Sequence, residues 1–248
     1  MRLAYLLTAA LLAVLGGAYA QDPGDESLRL YAVEIVHPPQ SWLRDILVRA
    51  QSLFVQNPRG ATSGYGVYLG QGLILTAAHV VGSPERTPPT VRVSNLELPA
   101  KTVRVGSFEQ VDLALLAVDQ TKLPVSLQLR RMPLCRTPPR EDEDVIVAIP
   151  TGIAHSTIMS PRLLPANLRA KFSTVIKDVA TTGNSGSGVF DAYRGCLLGI
   201  MSRKIFDRES GFLGITKEKD IAKYFVPAAT IANFIPGEYR NERPTTND

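Results

Sequence analysis

Cysteine is scarce: Cys135 and Cys196 are the only two in 248 residues. No CxxC pair and no cluster of cysteine with histidine occurs, so no metal site is expected. Tryptophan occurs once, at Trp42, and there is no internal repeat and no low-complexity run. Net charge is low, +4, and is spread along the chain, which leaves no footprint for nucleic acid and reads as a solvated surface. Beyond the first residues no stretch is apolar and long enough to cross a bilayer.

What is present begins with Arg2, the apolar run Leu3 to Leu15, two glycines and the small-x-small triplet Ala18-Tyr19-Ala20. That is the layout of a secretory signal peptide cleaved after Ala20, with an apolar run short for a membrane span. An exported protein without a membrane anchor follows, periplasmic or extracellular. An oxidising compartment suits a disulfide between Cys135 and Cys196. Spacing alone leaves two separate buried thiols equally open.

Residues 21–40 are polar and punctuated by proline, an extended lead-in that ends at His37, read as a surface residue. Ser41 to Ala50 places Leu43, Ile46, Leu47 and Ala50 at helical spacing, with Ser41 able to cap. Ser63 to Thr76 alternates and breaks at Gly70-Gln71-Gly72, the signal of a β-hairpin. Shorter strands follow at Val91–Val93, Lys101–Val105 and Val111–Val118. Pro133 to Glu143 is rich in proline and charge and reads as a linker. Asp144 to Pro150 opens a second set of strands, continued at Phe172–Ile176, Leu197–Ser202 and Tyr224–Pro227. His155 is assigned to a loop and taken as incidental. Ala228 to Ile235 is a short helix stopped by Pro236-Gly237, and 237–248 is a polar tail. Many short strands and few helices indicate an all-β barrel architecture, and the linker indicates two barrels, at 41–132 and 144–236.

The stretch Thr181-Thr182-Gly183-Asn184-Ser185-Gly186-Ser187-Gly188-Val189-Phe190 has the composition of a tight turn that displays a nucleophile. The backbone N–H groups of Gly183 and Ser185 are candidates for an oxyanion hole. Taken alone it is an ordinary turn before a buried strand. His79 closes the apolar hairpin at a strand end, and Asp112 stands at the mouth of an apolar strand. A cleft between two barrels would let His79 take the proton of Ser185 while Asp112 fixes the tautomer.

Thr76-Ala77-Ala78-His79, Asp112-Leu113-Ala114-Leu115-Leu116 and Gly183-Asn184-Ser185-Gly186 together resemble the three signature blocks of trypsin-like serine endopeptidases. The branch resembled is bacterial, of the HtrA or glutamyl endopeptidase kind, over roughly residues 60–235. The resemblance implies two six-stranded antiparallel β-barrels, a protein or peptide substrate and no cofactor. Asn184 stands where enzymes activated by cleavage carry aspartate, so no such activation is expected. Too few residues follow the last strand for a PDZ domain. Gly188 replaces a proline common in the family and loosens the turn. Met201 stands where glutamyl endopeptidases place a histidine, which argues against their acidic preference. By the same resemblance Val179 and Met201 line the specificity pocket, Ser202 supports the aspartate, and the segment after it pairs with substrate. Arg203 and Lys204 follow and are read as exposed charge with a possible bias toward acidic substrate groups. Two other readings stay open: an inactive protease-like module that binds peptides or a protein, and an esterase using the same acyl chemistry. Gly183 to Ser187 is not the GxSxG of the α/β-hydrolases. The oligomeric state is left open.

Overall fold

A computed structural model of the protein describes residues 23–37, 62–82, 88–177, 185–210 and 216–240. The expected signal peptide, the helix expected over 41–50 and the end of the tail lie outside the described residues.

The first half holds helix α1 (Pro23–Arg29), strands β1 (Ala32–Val36), β2 (Thr62–Gly70) and β3 (Leu73–Thr76), and the single-turn helix α2 (Ala78–Val81). Strands β4 (Thr90–Val93), β5 (Leu96–Pro99), β6 (Lys101–Val105) and β7 (Ala114–Ala117) follow, then helix α3 (Val125–Gln128). The second half holds β8 (Asp144–Ile149), β9 (Gly152–Met159), helix α4 (Ala166–Arg169), β10 (Val175–Lys177) and β11 (Gly188–Asp191). It ends in β12 (Leu197–Ser210), β13 (Thr216–Pro227) and helix α5 (Ala228–Phe234).

The first sheet has seven strands in the order β5-β4-β1-β2-β3-β7-β6 and curls into a half-barrel. The second is a closed antiparallel barrel, β10-β13-β12-β11-β8-β9. The fold is therefore the mostly-β, two-unit architecture expected; the second barrel has the six strands expected, whereas the first sheet has seven, is not closed, and takes one strand from an unexpected place. Residues 32–36, read as part of an extended lead-in, form β1 and pair with both β2 and β4. The run Ala32-Val33-Glu34-Ile35-Val36 explains it, because only Glu34 is not buried. His155 also lies in a strand, β9, and not in a loop; its Nε2 is 3.4 Å from Asp25 Oδ2.

Several strands are apolar at every position, which an antiparallel sheet with one wet face does not need. Here both faces are dry. Leu73 and Leu75 of β3 enter the cluster shared by the two barrels, whereas Ile74 enters the interior of the first. In the second barrel Ile146 and Ala148 face the shared cluster, and Val145 and Val147 face the interior. Period-two alternation thus sorts residues between a barrel core and the inter-barrel interface.

The linker is fastened rather than loose. Cys135 and Cys196 are joined by a disulfide with Cα atoms 5.1 Å apart. Cys135 N–H donates to the Leu197 carbonyl at 3.0 Å. Arg194 bridges Asp191 on β11 to Glu143 and Thr137. Burial would raise the Asp191 carboxyl, but hydrogen bonds from the Arg194 amide and side chain outweigh it and hold the group below the ordinary carboxylate range.

Two stability predictions follow from these contacts. A thiol count on denatured, unreduced protein should find no free thiol, and reduction should lower unfolding free energy by about 4 kcal/mol, the chain-entropy value for a loop of this length. Gly186 has φ of 88°, and a Cβ there would lie 1.9 Å from the Tyr65 carbonyl oxygen. Gly186→Ala should therefore destabilise the protein by at least about 2 kcal/mol in urea unfolding, since backbone cannot step aside as a side chain can.

Candidate active site

His79 lies on α2, the turn that immediately follows β3. Ala78, Val80 and Val81 are buried and anchor this turn, and His79 is left pointing out, with 32% of its side chain exposed. His37 helps to hold the turn: it is half-buried, and its Nε2–H donates to the Val80 carbonyl at 2.8 Å. It is not the free surface residue expected from the neighbouring prolines.

Asp112 sits just ahead of β7 with 1% of its side chain exposed. Three donors reach its carboxylate. The His79 amide donates to Oδ1 at 3.1 Å, His79 Nδ1–H to Oδ2 at 2.8 Å, and Ser202 Oγ–H to Oδ2 at 2.6 Å. Burial pushes the Asp112 carboxyl up; the hydrogen bonds from the His79 ring, the Ser202 hydroxyl and the His79 amide outweigh it, so the group sits below its ordinary value. With Nδ1 donating to a carboxylate, the neutral ring carries its lone pair on Nε2, the tautomer a general base needs.

Ser185 occupies the turn before β11, half-buried. Its backbone is held from both barrels. The Tyr65 amide on β2 donates to the Ser185 carbonyl at 2.9 Å, and the Gly186 amide donates to the Met201 carbonyl at 2.8 Å. Ser185 Oγ–H donates to the Ser202 carbonyl at 3.2 Å. Among the described residues this is the hydroxyl's hydrogen bond, and no bond from it to His79 is formed. Gly188, expected to loosen the turn, lies inside β11. A Cβ there would meet Phe190 at 2.5 Å and Val67 of the first barrel at 2.7 Å, so its small size lets the two barrels close on each other.

Gly183 of the expected oxyanion hole and Val179 of the expected pocket lie outside the described residues; Ser185 alone represents the hole. Met201 is buried, 2% exposed, within the core cluster of the second barrel. Ser202 is buried beside Asp112, at an irregularity in the β12–β13 register between Met201 and Arg203. Arg203 is half-buried and not a free surface charge. Its guanidinium lies 3.6 Å from the centre of the Phe108 ring, its Nε–H donates to Ser202 Oγ at 3.3 Å, and Nη2 donates to the Phe108 carbonyl. Phe108 meets the His79 ring edge-on with centroids 5.2 Å apart. Phe108 and His37 were not foreseen, and no local pattern marks either. Lys204 pairs with Asp220 at 2.6 Å.

Cys135, Asp191 and Cys196 also lie close together, but both sulfurs are spent on the disulfide and Asp191 is engaged by Arg194. That group does not present a donor set for a metal.

Comparison with known proteins gives a consistent picture. No curated protein sequence matches the chain. Among solved structures, Rv3671c from M. tuberculosis H37Rv, in an inactive mutant form, shares 17% identity and a TM-score of 0.51 over 88% of this chain and 92% of that one. The MamO protease domain from Magnetospirillum magneticum shares 15% identity and a TM-score of 0.50 over 84% and 97%. Kallikrein-related peptidase 10, in complex with Zn2+, shares 17% identity and a TM-score of 0.53 over 86% and 96%. At such identity these likenesses speak for the fold alone. The family model for the trypsin-like peptidase domain matches residues 64–200, more than half of the chain, and the protein therefore belongs to the trypsin-like peptidase family.

Proposed function

We propose that the protein is an exported serine endopeptidase that hydrolyses peptide bonds through an acyl-enzyme on Ser185. The observation that carries this reading is the His79–Asp112 pair, a half-open imidazole held by a buried carboxylate in the tautomer that leaves Nε2 basic. Ser185 lies on the facing barrel, hydrogen-bonded to Ser202, the residue whose hydroxyl also reaches Asp112.

An extended substrate adds as a strand beside the segment that follows Ser202. Its N–H takes over the Ser202 carbonyl, and the Ser185 hydroxyl turns to His79 Nε2. His79 removes the proton as Ser185 Oγ attacks the scissile carbonyl, and the imidazolium that forms is stabilised by Asp112. The amides of Gly183 and Ser185 receive the oxyanion. His79 then gives its proton to the leaving amine, and water repeats the sequence to release the acid. Met201 is taken up by the second core, so a preference for an uncharged side chain of medium size before the scissile bond rests on Val179.

A second reading rests on the resting hydroxyl. With Ser185 Oγ donating to a carbonyl and not to the imidazole, the same groove suits a peptide-binding module that turns nothing over. A casein digest with the mature protein separates the two: turnover supports the peptidase, whereas tight peptide binding without turnover supports the module.

Ser185→Ala should abolish labelling by a fluorophosphonate and lower kcat by roughly a millionfold, as removal of a triad nucleophile does elsewhere; hydrolysis at the wild-type rate would remove Ser185 from the role. Asp112→Asn should lower kcat by about 10⁴-fold, because the ring then loses the partner that fixes its tautomer.

The same carboxylate predicts an acid dependence of stability. Because the folded protein holds Asp112 below its unfolded value, its contribution is fully present above about pH 4 and is lost as pH falls through the lower folded value. Urea midpoints measured from pH 6 downward should show the gap between wild type and Asp112→Asn closing below about pH 4.

A further inference from the structure

Four groups form one hydrogen-bonded chain behind the imidazole. Arg203 Nε–H donates to Ser202 Oγ, Ser202 Oγ–H donates to Asp112 Oδ2, and His79 Nδ1–H donates to the same oxygen. A hydroxyl has a single proton, and that of Ser202 is committed to Asp112. Its lone pairs are what Arg203 can use. A hydroxyl that accepts from a cation is the stronger donor, so the guanidinium charge is felt at the carboxylate.

The same side chain also works through an aromatic ring. Its guanidinium carbon lies 3.6 Å from the centre of the Phe108 ring, and Nη2 donates to the Phe108 carbonyl. Phe108 is 41% exposed and belongs to no strand, and among the described residues it is part of no core cluster. The centre of the Phe172 ring lies 5.9 Å from the same guanidinium.

We propose that Arg203 is a positioning residue for the triad, one that clamps Phe108 against His79 and, through the Ser202 hydroxyl, weakens the hold of Asp112 on a protonated imidazole. This rests on the reading of His79 as the base. The effect is to keep the base free at lower pH and to keep the ring from swinging away between turnovers.

Among the described residues, few other charged and titratable groups lie near the pair. Tyr224 lies across from Arg203 in the β12–β13 register; burial raises its hydroxyl, while Arg203 pulls it down and Asp112 pushes it up. Lys204 is paired with Asp220, and His37 touches the His79 helix only through the Val80 carbonyl. Among the described residues Arg203 is the one cation bonded to Ser202 Oγ.

Three variants of the full mature chain separate this role from plain packing: Arg203→Met, Arg203→Lys and Phe108→Ala. The profile of kcat/KM against pH is measured for each, together with the titration midpoint of the low-field proton resonance of the His79–Asp112 hydrogen bond, which does not depend on turnover. In Arg203→Met both the acid limb and the resonance midpoint should move to higher pH by about half a unit, the size expected of a partly screened charge a few ångströms away. Arg203→Lys, which keeps the charge but replaces the guanidinium fork by a single nitrogen, should leave both midpoints nearer to wild type than Arg203→Met does. Phe108→Ala should lower kcat severalfold and leave both midpoints in place. An Arg203→Met protein whose midpoints match wild type, whether its KM or its stability changes, overturns the proposal. The resonance decides the matter even in a chain that hydrolyses nothing; in that case it is the peptidase reading that fails.

Discussion

A carboxylate withdrawn from water must be given donors in place of its solvation shell, or it becomes protonated or unfolds the site around it. Asp112 is withdrawn almost completely, and its donors come from two different units of the fold. The amide and ring of His79 arrive from α2 of the first sheet; the Ser202 hydroxyl arrives from β12 of the second barrel. The buried charge is therefore tolerable only when the two units are docked in one register. The irregularity of β12 between Met201 and Arg203 lies at the residue that makes this contact. A bulge re-aims a side chain that a regular strand would send elsewhere.

Docking itself is driven by the alternation of apolar residues. Leu75, Leu113 and Leu115 from one unit and Ile146, Phe190, Ile200 and Val226 from the other share one cluster. Helix α5 adds Ile231 and Phe234 to it, and Arg104 of β6 donates to the Phe234 carbonyl, so the last helix is pinned to the first sheet. The interface between barrels is thus built like a domain core, from buried apolar side chains shared by both units. On the proposed reading, a base carried by one unit and an alcohol carried by the other need such a docked interface to keep their separation.

Much of this was legible in the residues, for reasons that can be named. Apolar runs such as Leu73–Thr76, Leu113–Ala117 and Asp144–Ile149 read as strands because nothing else buries so many consecutive side chains in so short a span. His79 and Asp112 stood out as polar residues at the ends of such runs. Residues 32–36 read as a lead-in because two prolines follow His37, although the strand ends before them. The length of β12 and β13 was not readable beyond Ser202. That ribbon continues as Arg203-Lys204-Ile205-Phe206 against Tyr224-Lys223-Ala222, and mixed charge of this kind carries no clean period. The stack of Arg203 on Phe108 joins residues 95 positions apart, and no spacing rule reaches that far.

Ser202 joins the acid to the alcohol. Its hydroxyl is given to Asp112 and its carbonyl receives the Ser185 hydroxyl, so one residue touches both the acid and the alcohol through different atoms. Its neighbour on each side is equally committed. The Met201 carbonyl holds the Gly186 amide, the Met201 amide holds the Ser187 carbonyl, and Arg203 returns a hydrogen bond to Ser202 Oγ. Three consecutive residues of β12 thereby fix the turn that carries Ser185, the carboxylate behind His79 and the aromatic ring beside it. Because the same strand runs on into the barrel wall through Ile200 and Leu198, both fully buried, the position of the site is set by the second core and not by the loops around it. Sites carried on strands in this way hold their geometry better than sites carried on loops, and the first barrel needs only to bring one short helix and one aspartate up to it.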